Sequence, residues 1–248
     1  GPVTVGGNQS TLYGDLTGSG SHFTLSQLYA VGNINTNGTI KFTGGRVIGN
    51  ITSNSHGVEL TSTEVMGTLW SHTNVVFNSA TMTGFVTSNS GTITSSNSQI
   101  KGDLTAQSGM SFTGGSLAGH LLQKAANVVS LSNVNMTSGS IKGASTVNLS
   151  GSSLGSSAQK VEVKTESGNI TLTNKTVLYG DAIAVENATW ARVNIESGSM
   201  VYGRCHYEAV PPQACQPAPP PPSVHHYELS YQSPAVTCEA EPVTVKSC

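Results

Sequence analysis

The sequence predicts an all-β chain: a right-handed parallel β-helix of about ten short turns with a triangular cross-section, then a proline-rich spacer and a truncated β segment. Three observations carry this expectation. A five-residue phrase recurs at a nearly constant interval, apolar and polar residues alternate in pieces of three to five residues, and no helical three-four spacing occurs on a comparable scale.

The phrase is apolar, any, glycine, any, apolar. It reads Leu12-Tyr13-Gly14-Asp15-Leu16, Ala30-Val31-Gly32-Asn33-Ile34, Val47-Ile48-Gly49-Asn50-Ile51, Val65-Met66-Gly67-Thr68-Leu69, Met82-Thr83-Gly84-Phe85-Val86, Ile100-Lys101-Gly102-Asp103-Leu104 and Leu117-Ala118-Gly119-His120-Leu121. The glycines are separated by 18, 17, 18, 17, 18 and 17 residues. Continuing the phase places marks at Met136-Thr137-Ser138, with serine for glycine, and at Leu154-Gly155. Wider steps then lead to Tyr179-Gly180-Asp181 and Tyr202-Gly203-Arg204.

Upstream of most marks lies an alternating piece: His22 to Leu25, Ile40 to Thr43, Val58 to Thr61, Val75 to Asn78, Met110 to Thr113, Val147 to Ser150 and Ile170 to Thr173. A repeat of 17 or 18 residues holds three such strands and three tight corners, but not a strand and a crossover helix. Successive turns therefore stack at the inter-strand spacing of about 4.8 Å, and ten make a rod of about 48 Å. Right-handed winding follows from the hand of parallel crossover connections. Each marked glycine falls at a corner needing positive φ or close backbone approach. Gly44-Gly45 and Gly114-Gly115 read as turn glycines, since the strand and helix of a nucleotide cradle are missing. The larger and charged residues after Gly155, including Lys160, Glu162, Lys164, Glu166, Lys175 and Trp190, are expected to close the C-terminal end, whereas the N-terminal end is barer.

Composition limits what such a rod can do. Eleven Lys and Arg against 13 Asp and Glu give a net charge of -2, and only 10% of residues are charged. Nucleic acid is excluded as a partner because nothing supplies a basic tract, and no polybasic patch faces a membrane. No stretch approaches the roughly 20 apolar residues of a membrane span; Ala125 to Leu131 is the nearest. Gly1-Pro2 resembles the scar of a cleaved expression tag and carries no fold information.

Domain organisation follows from a change after Gly203. Residues 3–204 form the expected β-helix, 205–223 a proline-rich linker with cysteines, and 224–248 the start of a separate β domain. Val210 to Pro222 holds seven of the ten prolines and reads as a polyproline II spacer. The last residues are too few to bury a core alone, so they are expected to be the opening of a truncated domain. Cys205, Cys215, Cys238 and Cys248 fit two local disulfides in an exported protein, and three pairings are open.

Two resemblances are carried by these residues. His226-Tyr227-Glu228-Leu229, followed by Val236-Thr237-Cys238 and Glu241-Pro242-Val243-Thr244-Val245-Lys246-Ser247-Cys248, resembles the opening of the conserved region in MshQ-like proteins of the mannose-sensitive haemagglutinin type IV pilus locus. That resemblance covers about a tenth of the chain. It implies an exported, multidomain, β-rich protein displayed at the cell surface, with pilus components as partners. The solenoid, through its Gly-Asn-Ile and Gly-Asp-Leu phrases, is similar in pattern to bactofilins, bacterial polymers with a triangular right-handed β-helix.

Candidate chemistry is sparse. Asp15, Asp103 and Asp181 share the post-glycine position, yet the first two are five turns apart, about 24 Å on the strand spacing. Glu59 and Glu64 share a turn and read as solvated side chains. Polysaccharide cleavage, which needs two close carboxyl groups, is therefore a lesser alternative. The histidines at 22, 56, 72, 120, 206, 225 and 226 form no ligand constellation, so neither metal nor cofactor is expected. Recognition is the stronger reading. Outward hydroxyls and amides such as Thr24, Ser26, Thr43, Asn78, Thr81, Thr92 and Thr94 suit surface glycans, and Tyr13, Tyr29 and Trp70 are candidate stacking residues. Asn33 and Asn50 are candidates too, on adjacent turns where they can stack as an amide ladder. Thr-x-Thr pairs occur only at Thr61/Thr63, Thr81/Thr83, Thr92/Thr94 and Thr171/Thr173, too irregular for ice. The expected function is a non-catalytic adhesive or display module, with a self-associating structural rod as the alternative.

Overall fold

The computed structural model describes residues 1–184, 191–206, 209–210, 215–216, 227–230 and 244–247. Among them every regular element is a strand, and about eleven turns of parallel β-helix are stacked. Each turn follows a first face, bends into a second, turns at the repeated glycine and closes along a third. In one turn these strands are Val58–Thr61, Glu64–Met66 and Leu69–Ser71; in the next, Val75–Asn78, Thr81–Thr83 and Val86–Ser88. Within these turns each strand pairs in parallel with its equivalent, as in Val58↔Val75, Val65↔Met82 and Leu69↔Val86.

Alternation decides what faces inward. On the first face the third strand position stacks Leu25, Phe42, Leu60 and Phe77, then the small Ser95, then Phe112 and Leu131. All are buried. Val47, Val65, Met82 and Ile100 fill the second face, and Ile34, Ile51, Leu69, Val86 and Leu104 the third. Because a strand shows one side inward, a one-residue slip would turn the whole column outward, so the alternation fixes register.

The glycine corner fixes it more stringently. Gly14, Gly32, Gly49, Gly67, Gly84, Gly102 and Gly119 stand one above another with φ between 113° and 152°. A Cβ on Gly84 would lie 2.0 Å from the carbonyl oxygen of Gly67, and one on Gly102 would lie 2.1 Å from that of Gly84. No side chain fits between those backbones.

The expected phase fails at two marks. Ser138 pairs with Ala118, and Gly139 is the residue that stacks on Gly119, because a bulge at Thr137 inserts one residue. Gly155 is not on the ladder either. It opens an excursion through Lys160, and Val161 pairs with Gly139. The ladder resumes at Gly180, against Val161, and at Gly203, against Gly180. Both tyrosine marks were therefore correctly phased.

The other corners use different chemistry. Between the first and second faces Gln27, Ser62, Ser79, Asn97 and Asn133 adopt φ of 50–54°, and Gly44, Gly114 and Gly151 take the same place in other turns. At the end of the third face, buried hydroxyls close the turn. Thr36 donates to Ser21 O at 2.5 Å, Ser53 to Gly38 O at 2.8 Å, Ser71 to His56 O at 3.0 Å and Ser88 to Thr73 O at 2.6 Å. Each stitches a corner to the turn before it and satisfies a polar group that burial would otherwise penalise.

At the N-terminal end the inward Val3, Val5, Leu12 and Leu16 are only half-buried, as expected of a barer terminus. At the other end the solenoid outruns the boundary expected at residue 204. Cys205 pairs with Ala182, Val210 with Asn194 and Cys215 with Val201. The compact unit ends at Ala218, and a disulfide joins Cys205 to Cys215 within it. Cys238, Cys248 and Trp190 lie outside the described residues. In the second unit Tyr227–Ser230 pairs antiparallel with Thr244–Ser247.

Alanine substitution separates the two demands on the glycine corner. Gly14→Ala meets nothing within 4 Å and is expected to cost about 1–2 kcal/mol for its backbone conformation alone. Gly84→Ala, driven into the Gly67 carbonyl, is expected to cost more than about 4 kcal/mol. Urea unfolding of the two variants checks the difference.

Candidate functional site

The stacked register assigns every outward side chain to a column. Asp15, Asn33, Asn50, Asp103 and Asp181 follow the corner glycine, and their side-chain oxygens face the next turn. Asn33 N–H donates to Asp15 Oδ1 at 2.7 Å, Asn50 N–H to Asn33 Oδ1 at 3.1 Å and Thr68 N–H to Asn50 Oδ1 at 2.8 Å. The same bond joins His120 N–H to Asp103 at 2.8 Å and Arg204 N–H to Asp181 at 2.9 Å. In place of the expected Asn33–Asn50 amide ladder, the side-chain oxygens accept from backbone N–H groups of the next turn and are not displayed for a ligand.

Glu59 and Glu64 are also engaged. Glu59 lies 3.5 Å from Lys41 on the first face, and Glu64 lies 3.3 Å from Arg46 on the second. Arg46 Nε finds no aligned acceptor at that distance, while its Nη2 donates to Met66 Sδ at 2.9 Å. Glu59 and Glu64 thus point from different faces. The His22 and His56 rings meet edge to face at 5.3 Å, with His22 Nδ1 accepting from Thr39 N–H and His56 Nδ1 donating to Asn37 O.

The proposed stacking aromatics do not form one line. Tyr13 and Tyr29 lie on the second face, exposed by 78% and 36%, whereas Trp70 is half-buried on the third beside His72. Tyr13 instead leads a column through Val31, Ile48 and Met66, with exposed Phe85 on the following turn. This apolar ridge flanks the glycine corner.

Of the named hydroxyls and amides, Thr24, Ser26, Thr43, Asn78 and Thr94 share the first face. Thr81 lies on the second face, and Thr92 caps Asn74 at a corner. The first face is more regular than the sequence pattern suggested. In five successive turns it presents Thr94/Ser96, Ser111/Thr113, Ser130/Ser132, Asn148/Ser150 and Thr171/Thr173, none of them buried.

Residues that the sequence offered as spacing markers, end-closing charges and an isolated acid form a pocket. Tyr179 and Tyr202, paired across adjacent turns, stack with ring centroids 4.7 Å apart and planes inclined by 27°. Lys160, at the end of the Gly155 excursion, places Nζ 5.4 Å from the Tyr179 ring centroid. Beside the stack is a cavity of about 290 Å³ lined by Lys160, Glu162, Gly180, Asp181, Tyr202 and Gly203. Arg204 donates to Asp181 Oδ2 through Nη2 at 2.7 Å and Nε at 3.0 Å. That hydrogen bond, then the Asp181 charge and the weaker field of Glu162, raises the Arg204 pKa and keeps the guanidinium charged. The available signal was the twofold Tyr-Gly-charged phrase at positions 179 and 202, coinciding with the loss of the 17-to-18 rhythm.

Comparison with family models, curated proteins and solved structures finds no match for the chain. Among the described residues, no group of three His, Cys, Asp or Glu side chains converges as metal ligands, and no helix is long and apolar enough to cross a membrane.

The ladder role of Asn50 is separable from recognition. Asn50→Ala removes the acceptor of Thr68 N–H and its hydroxyl, and is expected to cost about 1 kcal/mol in urea unfolding. Any glycan affinity measured in parallel should stay unchanged.

Proposed function

We propose that the protein is an exported, non-catalytic display rod whose surface recognises glycans, carried at the cell surface ahead of an MshQ-like, pilus-associated region. The observation that carries the glycan reading is the first face. Ten outward hydroxyl or amide side chains in five consecutive turns include no charged group. Such a surface exchanges hydrogen bonds with polyols and gives little attraction to polyanions. The Cys205–Cys215 disulfide fits an oxidising compartment, and the MshQ-like tail residues suggest the pilus system.

A second reading has its own support. The ridge of Tyr13, Ile48, Met66 and Phe85 is exposed and apolar over successive turns, the kind of surface that self-association covers.

A glycan array combined with the molar mass in solution tests both readings. Display predicts a monomer that binds uncharged glycans with little dependence on salt. An oligomer with no array signal supports the structural rod instead. Release of new reducing ends from a polysaccharide panel would overturn the non-catalytic part of the proposal.

A further inference from the structure

We propose that the cavity beside the Tyr179–Tyr202 stack binds one uncharged pyranose unit of a glycan; this deepens the display reading and rests on it. Size comes first. At about 290 Å³ the cavity sits at the lower end of ligand pockets, which suits a single sugar ring rather than a nucleotide or a folded peptide. Access comes from Gly180 and Gly203, whose backbones line the cavity without side chains.

Charge selects the class. Lys160 and Arg204 balance Glu162 and Asp181, so the site has no net charge to attract a phosphate, an acidic sugar or a cation. It nevertheless offers Lys160 as a donor and Glu162 as a carboxylate acceptor within one small space, with Asp181 held by Arg204. A ligand rich in hydroxyls, each able to donate and accept, satisfies both sets. The aromatic wall adds a place for the apolar C–H face of a sugar, as aromatic side chains with a polar handle do at wet interfaces.

The excursion from Gly155 to Lys160 gives the pocket its individuality. The cavity lies where Val161 replaces glycine in the corner column and Lys160 reaches back over Tyr179. Tyr179 and Tyr202 are held by main-chain pairing, Val177↔Met200 through Tyr179↔Tyr202. The wall therefore forms before a ligand arrives, which reduces the ordering cost of binding.

Titration calorimetry of the full chain with the best neutral oligosaccharide from the array tests the proposal. Tyr202→Ala and Lys160→Met are each expected to weaken binding at least tenfold, while Thr87→Val and Thr105→Val on the third face leave it unchanged. Lys160 is exposed, so its variant reports on the site even if Tyr202→Ala loosens the last turns. Unchanged affinity in Lys160→Met and Tyr202→Ala, with loss in Thr113→Val and Ser132→Val on the first face, would overturn the pocket and leave the display reading intact. Tighter binding of uronic or sialic acid sugars than of neutral ones would overturn the uncharged class. A wild-type chain that binds no glycan would remove the display reading and this proposal with it.

Discussion

The close approach of one backbone to the next at the glycine corner governs this structure. Where Gly67, Gly84 and Gly102 stack, each carbonyl oxygen occupies the space a Cβ would need. Only that register lets every turn sit at strand spacing on its neighbour, and all else follows from it: the aromatic and aliphatic inner columns, the post-glycine acceptors and the outward columns that face solvent. The corner contributes little attraction of its own. It removes alternatives, and the buried apolar column then supplies most of the favourable free energy.

Polar groups in this chain serve two populations that composition cannot separate. The hydroxyls of Thr36, Ser53, Ser71 and Ser88 are buried and donate to corner carbonyls of the preceding turn. Those of Ser111, Thr113 and Ser132 are outward and open to solvent. Both kinds sit in short Ser/Thr-rich pieces, and only their place in the alternation distinguishes them. A similar division explains the acids. Asp15, Asp103 and Asp181 are spaced like a functional series, yet they serve the main chain, because a side-chain oxygen beside a corner glycine lies within reach of the next turn's N–H.

Departures from regularity concentrate near the C-terminal end of the solenoid. The Thr137 bulge, the Gly155 excursion and Val161 in the glycine column come within two turns, followed directly by the tyrosine pocket. In a solenoid each turn touches its neighbours and little else, so an insertion is tolerated where it can leave the stack without displacing the next rung.

The 17-to-18-residue rhythm by itself determined the all-β class, the glycine column from Gly14 to Gly119 and most first-face strands, because stereochemistry at a corner and inward alternation leave one-dimensional marks. The recurring Tyr-Gly-charged phrase, outside that rhythm, marked Gly180 and Gly203 correctly. The rhythm could not place Ser138, Gly155 or Val161, since a bulge and an excursion add residues without changing the local pattern. Nor could it bring together Lys160, Glu162, Asp181 and Tyr202, whose separation along the chain is cancelled only when one lap stacks on another. Tertiary structure decided which side chains meet, because a pocket depends on distances across turns while a sequence records only distances along one.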